Sequence, residues 1–76
     1  MQLPRPGDRI RLIYMPGDPD PIKPGATGTA RKVTGHSFGL RAPWTQIDVE
    51  WDNGRKLMLS VPPDEWEWVE SGSEQA

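Results

Sequence analysis

Gln46-Ile47-Asp48-Val49-Glu50-Trp51-Asp52-Asn53-Gly54-Arg55-Lys56-Leu57-Met58-Leu59-Ser60-Val61 is the stretch that decides the fold. Ile47, Val49 and Trp51 alternate with polar residues before a turn signal, and Leu57, Leu59 and Val61 alternate after it, the period of two strands with one apolar face each. A two-residue Asn-Gly turn would set Glu50 opposite Leu57 and mix the two faces. A three-residue loop, Asp52-Asn53-Gly54, sets Val49 opposite Leu57 and Ile47 opposite Leu59, so both apolar faces coincide. Such a loop is a type I turn followed by a left-handed residue, a conformation that Gly54 adopts cheaply. The same register places Glu50 opposite Lys56 on the solvent face.

Working outward, Asp8-Arg9-Ile10-Arg11-Leu12-Ile13-Tyr14 also alternates, with Ile10, Leu12 and Tyr14 expected inward and Arg9 and Arg11 in solvent. Residues 15–25 hold Pro16, Pro19, Pro21 and Pro24, which exclude a helix or a central strand and leave a long, stiffened loop. Residues 27–33 read as a second strand, whose Gly28 and Ala30 suit a close backbone crossing. Residues 35–46 are the least patterned and read as an extended hairpin loop. Pro62-Pro63-Asp64-Glu65 suggests one short helical turn, and Trp66-Glu67-Trp68-Val69 a last strand with both tryptophans on one face. The expectation is an all-β, five-stranded SH3-like barrel over residues 7–70, with a lead at 1–6 and a disordered tail at 71–76.

A chain of 76 residues without cysteine has neither disulfide nor thiolate staples, and its core supplies only about 3–5 kcal/mol net. That size offers a binding surface rather than a deep, water-excluding pocket. Residues 1–6 contain no apolar signal region and no run reaches membrane-spanning length, so a cytoplasmic protein without membrane contact is expected. Charge is split: residues 1–41 hold seven cationic side chains against three carboxylates, and residues 42–76 hold two against eight. Either a basic binding face or pairing of the two halves across a sheet follows, and pairing is the simpler reading.

Gly7-Asp8-Arg9-Ile10-Arg11-Leu12, Asp18-Pro19-Asp20-Pro21-Ile22, Pro24-Gly25-Ala26-Thr27-Gly28-Thr29 and Val49-Glu50-Trp51-Asp52-Asn53-Gly54-Arg55 with Leu57 fall in an order that resembles a family of small domains of unknown function. That family is common in phage and actinobacterial genomes, and the resemblance covers most of residues 7–69. It implies the SH3-like fold and no particular activity. The chain departs from the pattern in a longer stretch at 35–46 and in Ser60-Val61-Pro62-Pro63, where a glycine-containing segment is usual. A fainter likeness to the barrel modules of ribosomal and transcription-elongation proteins rests on Gly25, Gly28 and the strand that follows.

Catalytic chemistry finds little to work with. Nucleophilic catalysis needs a nucleophile, a base and an orienting group; His36 is the single histidine, read as a solvated loop residue beside Ser37. Asp18 and Asp20 sit among prolines without the bidentate glutamate of a calcium loop and read as turn formers. The carboxylates of Asp64, Glu65 and Glu67 read as a solvated strand edge. No enzyme activity, metal or cofactor is expected. Trp51 and Trp66 belong to the core, which leaves Tyr14, Trp44, Phe38 and Trp68, with Pro62 and Pro63, as candidates for a partner groove.

The reading is therefore a non-catalytic protein-binding or adaptor module, encoded by a phage or mobile element and acting on a host or phage protein. The alternative is a nucleic-acid-associated barrel in which Arg9, Arg11, Arg31, Lys32 and Arg41 track phosphates while Trp44 or Phe38 stacks a base. Against it, Arg9 and Arg11 should lie beside Glu65 and Glu67 on the neighbouring last strand, which cancels the patch. A third reading is a homo-oligomer built through residues 35–46.

Overall fold

The computed structural model describes residues 3–37, 39 and 42–69. Five antiparallel strands form one sheet: β1 (Arg9–Tyr14), β2 (Thr27–His36), β3 (Trp44–Trp51), β4 (Leu59–Val61) and β5 (Glu65–Trp68). Their order is β4-β3-β2-β1-β5, so the last strand returns to lie beside the first. The domain is all-β, and there is no helix among the described residues. The sheet is not closed as a barrel: β4 and β5 remain its two edges.

The central hairpin forms in the three-residue register. Gly54 N–H donates to Trp51 O at 3.0 Å, Trp51 N–H donates to Arg55 O at 2.9 Å, and Gly54 has φ +93°. Ile47 pairs with Leu59, and Glu50 pairs with Lys56. Burying the coincident apolar faces drives this choice, because a slip by one residue would set the apolar residues of one strand opposite the polar residues of the other. Ile47, Val49, Trp51 and Leu59 join Ile10, Leu12, Met15, Ile22 and Ala30 in one core.

Alternation fails at one end of β1. Ile10 and Leu12 are buried as expected, but Tyr14 is 54% exposed. The pairing with β5 runs Leu12 to Trp66 and then Tyr14 to Glu65, so a bulge at Ile13 shifts the phase. Met15, rather than Tyr14, then turns inward.

A second correction concerns residues 35–46. Strand pairing continues to His36 opposite Trp44 and Gly35 opposite Thr45, so the connection is residues 37–43 only. A register shift between Ala30 and Lys32 carries the longer arm on. Gly28 lies where β2 meets β3, and a Cβ there would stand 2.8 Å from Glu50 O and 2.9 Å from the Trp51 Cα. Between β4 and β5 a single turn, closed by Asp64 N–H to Ser60 O at 2.9 Å, stands where a short helical turn was expected. The tail expected at 71–76 lies outside the described residues.

The proline-rich loop is held at both ends. Met15 and Ile22 are buried in the core, Gly25 N–H donates to Leu12 O, and Leu12 N–H donates to Ala26 O, both at 2.8 Å. Arg55 crosses from the hairpin turn and donates to Asp20 O at 2.9 Å.

Candidate functional site

The last rung of the β3–β4 ladder pairs Thr45 with Val61. Trp44 begins β3 one step beyond that rung, and Pro62 and Pro63 leave β4 on the same side. Neither proline can donate to a ladder, so pairing stops there and the two segments part. A groove of about 360 Å³ opens between them, walled by Ala42, Pro43 and Trp44 on one side and Pro62 and Pro63 on the other, with Ser60 at its base.

One ring face of Trp44 is covered. His36 stacks on it at 4.3 Å between centroids with 19° between planes. His36 Nε2 lies 3.1 Å from Gln46 Oε1, and Gln46 Nε2 donates to Asp48 Oδ1 at 2.8 Å. Because that amide donates through nitrogen to a carboxylate, its oxygen is the atom turned toward the His36 ring. His36 is thus a half-buried strand residue steadying Trp44, not a solvated loop histidine. The hint lay in its spacing: His36, Gln46 and Asp48 share a face only when β2 and β3 are longer than the apolar pattern suggests.

A second groove of about 190 Å³ lies across Pro63, where the proline-rich loop passes β4. Gly17 and Asp18 line it from the loop, Leu57 and Met58 from the hairpin, and Asp64 from the turn. Both grooves share Ser60 and Pro63, so they form one surface with Pro63 as its saddle. Asp64 is only 8% exposed, which corrects its reading as part of a solvated edge. Its Oδ2 accepts from Ser60 N–H at 2.9 Å. Burial raises its carboxyl above the ordinary value of 3.8, the Ser60 N–H opposes that rise, and the charge of Asp18 adds to it. No sequence signal marked this pair, because whether Asp18 and Asp64 line one groove depends on how the loop is folded back.

The other candidates lie elsewhere. Tyr14 sits opposite Glu65 and lines neither groove. Trp68 pairs with Ile10 far along β5, meets Trp66 edge-on at 4.8 Å, and its Nε1 is 3.4 Å from Asp8 Oδ2. Phe38 and Arg41 lie outside the described residues.

The cationic candidates are largely spoken for. Arg9 grips Asp52 with both terminal nitrogens, one at 2.7 Å from Oδ1, and Thr27 Oγ1 adds a bond of 2.6 Å to the same carboxylate. Those bonds hold the Asp52 carboxyl well below the usual range. Arg11 donates to Glu67 at 2.7 Å, and Arg31 donates to Glu50 through Nε at 2.9 Å and Nη2 at 2.6 Å. Hydrogen bonding and charge from Arg31 lower the Glu50 carboxyl in the same way. The basic first half and acidic second half therefore pair across the sheet. Lys32 is exposed at the bulge of β2.

No helix among the described residues is long and apolar enough to cross a membrane. Compared with protein-family models, curated proteins and solved structures, the chain matches none.

Proposed function

We propose that this chain is a non-catalytic protein-binding module that takes an extended segment of another protein along the surface on either side of Pro63. The observation that carries this reading is the groove of Trp44, Pro62 and Pro63, which holds a half-exposed tryptophan and two exposed prolines at the end of an edge strand, outside the core. Flat, rigid side chains of this kind present large contact area with little conformational entropy to lose. The resemblance noted in the sequence favours a host or phage protein as the partner.

Nucleic acid is the weaker reading, because Arg9, Arg11 and Arg31 each engage a carboxylate, and releasing them would forfeit those bonds. The test is affinity capture with the tagged chain, with and without nuclease, beside Trp44→Ala. A protein retained at stoichiometric yield after nuclease and lost with Trp44→Ala is expected. Full retention by Trp44→Ala, or loss of all bound material on nuclease treatment, would overturn the proposal.

A further inference from the structure

Asp18 and Asp64 stand at the end of the surface remote from Trp44, and neither carboxylate has an ion pair within the described residues. That separates them from Glu50, Asp52 and Glu67, each of which holds an arginine. Asp18 Oδ1 accepts from Asp20 N–H at 2.8 Å, the bond of a local turn, and Asp64 accepts from Ser60 N–H through Oδ2 alone. Asp64 is 8% exposed as a residue and its carboxylate has one neutral donor, so its charge is partly desolvated, and the charge of Asp18 adds to the cost of ionising it. A cation between the two would relieve both costs.

The surroundings define which cation. Leu57 and Met58 form an apolar wall of the same groove, and Met58 is 42% exposed. An inorganic ion has no use for that wall. A lysine or arginine side chain does, since it lays an aliphatic stem on apolar surface while its head reaches a polar group.

We infer that the groove between the proline-rich loop and the β4–β5 turn is a subsite for a basic side chain of the partner segment, with Asp18 and Asp64 receiving the charged head and Leu57 and Met58 the stem. This rests on the protein-binding reading and adds the chemistry of one partner residue. The bound segment runs from an apolar or flat residue at Trp44, over Pro63, to a lysine or arginine at Asp18.

The experiment uses the full chain, labelled with ¹⁵N, and two probes that differ in charge but hardly in shape: acetyl-arginine amide and acetyl-citrulline amide. Arginine should shift the Gly17, Asp18, Ser60 and Asp64 amides and bind at least about ten times more tightly than citrulline. Asp18→Asn and Asp64→Asn should each abolish that preference; the first changes a loop residue, and the second keeps an acceptor for Ser60 N–H, so both remain folded. Equal binding of the two probes, or shifts confined to Glu65 and Glu67, would overturn the subsite. So would shifts of the same amides on concentrating the chain alone, which would assign the groove to a second copy. A third titration, with acetyl-prolyl-proline amide read at the Trp44 indole N–H, keeps the two claims apart. A Trp44 response without arginine preference sinks only the subsite, and arginine preference without a Trp44 response sinks only the wider groove.

Discussion

Gly54 and Gly28 resist substitution for different reasons. At Gly54 the backbone is left-handed and nothing stands near a Cβ, so a side chain meets only conformational strain. Gly54→Val should therefore cost about 1–2 kcal/mol, a fall in Tm of several degrees for a domain of this size. At Gly28 the obstacle is the backbone of β3, which cannot rotate away. Gly28→Ala should cost about 1–3 kcal/mol by overpacking, and it should also disturb the amides of Glu50 and Trp51, which Gly54→Val leaves largely in place. The tryptophans divide similarly. Trp51 is 2% exposed and its Nε1 donates to Leu57 O at 2.9 Å, so Trp51→Ala removes about 3–5 kcal/mol and should leave no folded protein by circular dichroism. Trp44→Ala should fold, with its loss confined to binding.

At the scale of elements, the turn between β4 and β5 and the hairpin turn respond to pH in opposite senses. Asp64 has a raised carboxyl in the folded chain, so between its ordinary value of 3.8 and its folded value the native state binds more protons than the unfolded one. Stability from this group is complete below that window and declines as pH rises through it. Asp64→Asn should remove the decline, and its Tm advantage over the parent should grow with pH and then level off. Asp52 and Glu50 are lowered by Arg9 and Arg31, so their contribution is present above the ordinary carboxylate range and is lost as pH falls below it. Asp52→Asn should accordingly matter at neutral pH and cease to matter in acid, as melting curves across pH would record. Both turns lay within reach of sequence reasoning to different degrees. The hairpin register was legible because only one loop length aligns Ile47 with Leu59 and Glu50 with Lys56. The bulge at Ile13 was not, since nothing in Leu12-Ile13-Tyr14-Met15 says where alternation skips. Nor was the length of β2 and β3, because His36, Thr45 and Gln46 are polar residues whose pairing depends on stacking and amide bonds rather than on burial. The groove's lining was legible only in part: Trp44, Pro62 and Pro63 were named together with Tyr14, Phe38 and Trp68, of which Tyr14 and Trp68 line neither groove, while Asp18, Met58 and Asp64 join it only through the path of the first loop.

For the molecule as a whole, an unclosed sheet leaves two edges that must not recruit other chains. β4 is three residues long and runs into two prolines, and β5 carries Glu65 and Glu67 on its exposed face, both recognised ways of blunting an edge. Replacing Glu65 and Glu67 together with valine should cause concentration-dependent association, detectable by light scattering, whereas replacing Lys32 should not. The anchoring of the proline-rich loop has a different kind of consequence. Met15 and Ile22 fasten the strap to the core like two buttons, and the stretch between them touches the interior little. Lengthening it to twice its size should cost only about 0.6 kcal/mol in closure entropy. Residues 16–21 are thus free to vary over evolutionary time, or in a library, without endangering the domain beneath. Asp18 lies inside that permissive stretch and Asp64 outside it, so under the proposed basic subsite a lineage could exchange one partner for another by rewriting the strap alone.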